Sequence, residues 1–157
     1  MKKLILYYSR TGRTKNIAEI ISKKLGCDIE EIIDIKKTSG IIGYLRGGNA
    51  ARKGDLTEIK DLMKNPEDYE LTIIGTPIWG GKIPPATRTF LIEFKDKLDK
   101  VAFFCTQGGW NGGSKLFQIM SEVSKKTPIA TLEIGRKELK EKSYDNKITD
   151  YISQLEK

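Results

Sequence analysis

Leu4-Ile5-Leu6-Tyr7-Tyr8-Ser9-Arg10-Thr11-Gly12-Arg13-Thr14 decides the fold of this chain. The apolar run Leu4 to Tyr8 reads as a buried strand. Beyond the turn, Ile17, Ala18, Ile21 and Leu25 recur at helical spacing, and Gly26 supplies a C-terminal stop. Strand, hydroxyl-and-glycine turn, helix is the arrangement that offers free backbone N–H groups and a positive helix end to a phosphate. Ser9, Thr11 and Thr14 bring three hydroxyls to that turn, and Gly12 lets the backbone approach a ligand without a Cβ. An ordinary Ser/Thr helix cap needs only one of those hydroxyls.

Downstream, strands and helices alternate. The second strand is read over Asp28 to Ile35, with acidic residues laced among its isoleucines in the manner of a sheet edge. Leu71 to Gly75, Val101 to Cys105 and Pro128 to Ile134 read as three more strands. Helical stripes lie at Ala86-Phe90-Leu91-Phe94-Leu98, at Leu116-Ile119-Met120-Val123 and at Tyr144-Ile148-Ile152-Leu155. Five strands, each followed by a crossover, predict an α/β fold with a mostly parallel sheet covered on both faces. The 157 residues suit a single domain, 1–157.

In such sheets, ligands sit beyond the carboxyl ends of the strands. The third strand exits into Gly75-Thr76-Pro77-Ile78-Trp79-Gly80-Gly81, and the fourth into Thr106-Gln107-Gly108-Gly109-Trp110-Asn111-Gly112-Gly113. These exits and the first turn hold eight of the fifteen glycines, a clustering that suggests backbone held close to a ligand. The two later exits also hold both tryptophans, the residue type that stacks best on a planar aromatic ligand.

Several chemistries are excluded. The first turn lacks the Gly-x-x-x-x-Gly-Lys-Ser/Thr pattern of nucleotide triphosphatases and the Gly-x-Gly-x-x-Gly of dinucleotide folds. With no histidine and only Cys27 and Cys105, the chain has neither the usual metal ligand set nor the usual general base. No metal site is therefore expected, and a bound cofactor is the natural carrier of chemistry. The net charge of +7 is spread along helix faces mixed with Glu and Asp, so no nucleic-acid partner is expected. The leading apolar run is too short for a secretory signal, and no stretch is long enough to span a bilayer. A cytoplasmic protein without a membrane partner is expected. Cys105, ending its strand, reads as a small buried residue.

Ser-x-Thr-Gly-x-Thr after the first strand, Gly-Thr-Pro-x-Trp-Gly-Gly after the third and Thr-x-Gly-Gly-x-x-Gly after the fourth together resemble the three flavin loops of the flavodoxin family, in the right order over nearly the whole chain. The resemblance implies a flavodoxin-like three-layer sandwich with strand order 2-1-3-4-5 and flavin mononucleotide (FMN) as cofactor. It implies a cofactor site in which Ser9, Arg10, Thr11, Gly12, Arg13 and Thr14 hold the phosphate, with Asn16 nearby. Thr76, Pro77 and Ile78 would line the ribityl chain, Trp79 would stack on the isoalloxazine, and the Gly80-Gly81 peptide would lie beside its N5. Thr106, Gln107, Gly108, Gly109 and Trp110 would meet the pyrimidine edge, Trp110 either capping the ring or rimming the pocket. By the same resemblance the protein is an electron carrier, cycling FMN between oxidised, semiquinone and hydroquinone states for redox partner proteins. Monomer and homodimer both stay open.

Three features depart from the family. Arg10 and Arg13 stand inside an otherwise uncharged phosphate loop, facing either the phosphate or solvent. The chain is also basic where flavodoxins are acidic, which predicts a less negative second potential and a negatively charged partner. The segment from Thr38 to Glu58 is long and glycine-rich, with Tyr44, Arg46 and Arg52, and a short helix is read at Ile41 to Leu45. Such segments serve as lids, binding segments, oligomer contacts or plain surface connections. With Lys82, its arginines would suit the rival reading, an NAD(P)H-dependent FMN or quinone reductase on the same fold. The short chain favours the carrier.

Overall fold

The computed structural model describes residues 1–36, 54–109 and 112–157. Its strands are β1 (Lys3–Tyr7), β2 (Asp28–Glu31), β3 (Leu71–Pro77), β4 (Lys100–Thr106) and β5 (Pro128–Ile134). All four pairings are parallel, and the order is β2-β1-β3-β4-β5. The helices are α1 (Arg13–Leu25), α2 (Pro85–Phe94), α3 (Gly113–Ser124), α4 (Arg136–Glu141) and α5 (Asp145–Leu155). This is the flavodoxin-like α/β fold that the loop pattern implied.

Alternation along the strands divides the core in two. Leu4, Leu6, Ile74, Val101, Phe103 and Cys105 face α2 and α3, meeting Phe90, Leu91, Leu116 and Met120. Ile5, Tyr7, Ile73, Phe104, Leu132 and Ile134 face α1 and α5, meeting Ile17, Ile21, Ile148 and Tyr151. Burying each such large side chain contributes roughly 1.5–3 kcal/mol, so both layers are firmly seated on the sheet. The central strands β1, β3 and β4 are apolar on both faces because helices cover both.

The second strand is shorter than its isoleucines predict. It ends at Glu31, and Ile33 and Ile35 are exposed. The chain instead turns to form an antiparallel bridge between Asp34 and Ile59, with Ile35 donating to Glu58 and Lys60 to Ile33. The long excursion between β2 and β3 thus leaves and returns through a paired neck. Within it, the Ile41 to Leu45 segment, Tyr44, Arg46 and Arg52 lie outside the described residues. Helix α4 was not anticipated: it buries no residue and carries no apolar stripe, so periodicity gives it no signal. Leu98 falls beyond the end of α2, reached through a short 3-10 turn at Lys95–Lys97.

Tyr151 is fully buried under the sheet, and its hydroxyl has no hydrogen-bond partner among the described residues. An unsatisfied buried hydroxyl keeps its desolvation cost. Tyr151→Phe is therefore expected to raise stability by about 1 kcal/mol, read from the urea midpoint; a loss would mean the hydroxyl is bonded in solution.

Two other phenols are tied to carboxylates. Tyr69 donates to Asp28 at 2.6 Å, and this bond, with burial, raises its pKa to about 12 while holding the Asp28 carboxyl low. Tyr7 is raised to about 12 by burial and then by Glu31. Raised phenol pKa values favour the fold in full below pH 10, and that stability is lost as pH climbs towards about 12. Alkaline unfolding is expected in that window, and Tyr69→Phe should flatten part of it in pH-dependent urea melts.

Candidate functional site

The carboxyl ends of β1, β3 and β4 bring the three exit loops together where the strand order reverses, the position at which open α/β sheets bind ligands. Hydrogen bonds lock the loops to one another. The Thr14 and Thr106 hydroxyls pair at 2.8 Å, joining the first loop to the third, and both residues are buried. The Ile78 amide donates to the Thr106 carbonyl at 3.2 Å, joining the second to the third. The Thr76 hydroxyl pairs with Thr87 of α2 at 2.9 Å.

In the first loop, Ser9 turns inward. Its hydroxyl accepts from the Gly12 and Lys15 amides, both at 3.2 Å. Gly12 caps α1 in the left-handed region at φ 88°, without a side-chain cap and with no acid in the first helical turn. The Arg13 and Thr14 amides take no acceptor among the described residues, so the positive end of α1 keeps open donors. Thr11 is exposed beside them, and the Asn16 side chain is turned aside to donate to the Tyr144 hydroxyl at 3.3 Å.

The second loop closes as a two-residue turn. Trp79 and Lys82 exchange both backbone hydrogen bonds, at 3.0 and 2.9 Å, around Gly80 (φ 55°) and Gly81 (φ 74°). Two consecutive positive φ values define a type I′ turn, which explains the pair of glycines. Trp79 is already covered. Tyr8 meets it edge-on with centroids 5.5 Å apart, and the Arg10 guanidinium stands 4.6 Å over its ring. Arg10 thus lies between the first loop and the Trp79 ring, and a planar ligand stacking on that face would have to displace it. Pro77 and Ile78 are half-buried, with Ile78 packed on the core.

The third loop rests on a residue that sequence reasoning did not single out. Glu133 of β5 accepts from the Gln107 side-chain amide and from the Gly112 amide. It thereby supplies from a neighbouring strand the carboxylate that α3 lacks at its own N-terminus. The only cue in the sequence was a charged residue inside an otherwise apolar strand. The Arg13 side chain reaches across to Gly108, while Gly109 faces open space. Trp110 lies outside the described residues. Burial, and then Glu133 beside it, push the Cys105 thiol up, so it is the inert buried residue expected.

Not every glycine in the exits serves a ligand. A Cβ at Gly75 would overlap the Phe104 ring, and one at Gly113 would overlap the Glu133 carboxylate. A Cβ at Gly12, Gly81 or Gly109 would meet no heavy atom within 4 Å. Those three mark the open side of the site.

Comparison with known proteins agrees with this fold. A flavoprotein from Lactobacillus acidophilus, solved in complex with FMN, superposes with a TM-score of 0.74 at 26% identity, covering 90% of this chain and 98% of that one. The chain has the flavodoxin-like fold. A Fusobacterium nucleatum flavodoxin bound to flavin mononucleotide shares the fold at 16% identity, with a TM-score of 0.60 over 99% of this chain and 98% of that one. Flavodoxin 1 of Salmonella typhimurium is 33% identical over 75 residues, a match spanning 48% of this chain and 30% of that protein. No family model matches the chain. No helix among the described residues of this flavodoxin-like protein is long and apolar enough to cross a membrane.

Proposed function

We propose that this protein binds FMN at the three exit loops and transfers electrons to and from redox partner proteins. The observation that carries the reading is the first loop: an acid-free helix N-terminus with open Arg13 and Thr14 amides, at the sheet edge that also holds the Gly80-Gly81 turn. Open space at Gly12, Gly81 and Gly109 leaves room for a ligand lying across all three loops. The donor chemistry fits a phosphate monoester at one end and a polar ring edge at the other. The Lactobacillus acidophilus flavoprotein in complex with FMN supports the choice of cofactor.

When bound, FMN supplies one- and two-electron redox chemistry, and the protein's part is to bind, orient and tune it. The Arg13 and Thr14 amides would hold the phosphate, with Arg10 and Arg13 adding charge. Pro77 and Ile78 would flank the ribityl chain. The turn peptide between Gly80 and Gly81 would face the ring, with Gly81 free to adopt either sign of φ. The buried pairs Thr14–Thr106 and Thr76–Thr87 would act indirectly, by fixing the loops. Trp79 would offer its ring once Arg10 moves aside.

The loops 9–15, 75–84 and 106–115 carry Arg10, Arg13, Lys15, Lys82 and Lys115 and no carboxylate. We infer a redox partner that presents negative charge to this rim. Electron transfer to such a partner is expected to slow as salt rises, and a rate independent of ionic strength would exclude steering.

The deciding experiment is to purify the protein with excess FMN, remove free flavin and titrate it anaerobically with dithionite and, separately, with NADPH. Two resolved one-electron steps with dithionite, and no reduction by NADPH, are expected of a carrier. Rapid bleaching by NADPH in one two-electron step would make the protein a reductase. Failure to retain FMN would overturn the reading.

A further inference from the structure

Beyond Thr106, the hydrogen bonds that hold the described residues of the third loop to a neighbouring strand come from β5. Gln107 is buried, at 4% exposure, and β5 holds it twice: its amide donates to the Ile134 carbonyl at 3.0 Å, and its side chain donates to Glu133. Glu133 lies beside Cys105 in the sheet register, on the face covered by α2 and α3. The same carboxylate oxygen accepts from the Gly112 amide at 3.4 Å, and the second oxygen packs where a Gly113 side chain would be. One carboxylate therefore fixes both the departure of the loop, at Gln107, and its return, at Gly112.

We propose that Glu133 is a positioning residue for the ligand: by clamping Gln107 and the N-terminus of α3, it holds the Gln107 to Gly109 backbone in the shape that grips the ring edge. The proposal rests on the FMN reading. Glu133 touches no ligand itself and acts through Gln107. Its effect is therefore confined to the ring end of the site, because the phosphate end is built by the first loop and by α1. A helix-capping role alone would act on stability and treat all ligands alike. Gln107, free of its clamp, would leave the loop's donors to sample several arrangements, and ordering them would weigh against binding.

The test compares native protein with Glu133→Ala and Glu133→Gln, using FMN, riboflavin and inorganic phosphate as probes. Glu133→Ala is expected to weaken FMN and riboflavin by the same factor, about tenfold, and to leave inorganic phosphate unchanged. Glu133→Gln keeps an acceptor and is expected to recover most of that affinity. Native flavin affinity in Glu133→Ala would overturn the proposal, as would an equal loss of phosphate affinity accompanying a fall in thermal stability. Amide hydrogen exchange in the ligand-free proteins tests the clamp independently. Faster exchange at Gln107 and Gly112 is expected in Glu133→Ala, and unchanged exchange would overturn the clamp. Failure of the native protein to bind either flavin, with the exchange result intact, would overturn the FMN reading instead.

Discussion

Gly75→Ala is expected to cost the fold about 3 kcal/mol or more. Gly75 sits in the middle of the sheet, paired with Tyr7 on one side and Phe104 on the other. A Cβ there would overlap the edge of the Phe104 ring, which is itself fully buried among Leu71, Ile73 and Ile134. Neither group can retreat: the glycine is backbone in a central strand, and the ring has helices α1 and α5 above it. The mechanism predicts its own rescue. Phe104→Leu alone should cost a smaller amount, by leaving space, and the combined variant should be more stable than Gly75→Ala. Urea unfolding of the four proteins measures this as a coupling between the two sites. Strict additivity would show that the glycine is needed for some reason other than the ring.

The second large effect concerns the ligand. FMN is expected to bind about 10³-fold more tightly than riboflavin, which lacks only the phosphate. Hydrogen bonds to a charged group contribute about 1.5–3 kcal/mol each, and the Arg13 and Thr14 amides provide two at the positive end of α1. With a small further gain from Arg10 and Arg13 the sum is about 4 kcal/mol, and each 1.4 kcal/mol is tenfold. Gly12→Ala should narrow the ratio, because φ 88° strains any residue with a Cβ and the amides following it would shift. Titrations by flavin fluorescence, with each ligand, read the ratio directly. Equal affinities would place the phosphate away from α1.

The contrast between Gly75 and Gly12 shows how far the sequence was legible. Both fall in stretches that read from sequence as strand exits and invite the same explanation of backbone close to a ligand, yet Gly75 lies within β3. The distinction lies in what fills the space of the missing side chain, and Phe104 is 29 residues away in the chain. The hydroxyls behave likewise. Thr14, Thr76 and Thr106 were legible as polar groups gathered at one edge, but that they are buried in pairs depends on register between strands. Strands β1, β3 and β4 were readable because two-sided burial writes continuous apolar runs, and β5 because its buried residues alternate with exposed ones. At β2 this logic misled: Ile33 and Ile35 continue the run in sequence, yet the chain has already bent to its bridge with Ile59. Helix α4 and Glu133 were missed for a shared reason. Neither contributes to an apolar pattern: α4 is held by the Glu138 carboxylate at its own N-terminus, and Glu133 by Gln107 and Gly112.

The order of the strands has a consequence for how this chain is made. Every pairing is parallel, so no two strands that follow each other can zip up as a hairpin while they are being synthesised. β1 is synthesised before β3, yet one of its edges waits for β3, on the far side of the long excursion beyond β2. Until then Leu4 to Tyr7 is an apolar strand with an open flank, the kind of segment that chaperones hold and that nascent chains misassemble through. Shortening the excursion would shorten that exposure during translation.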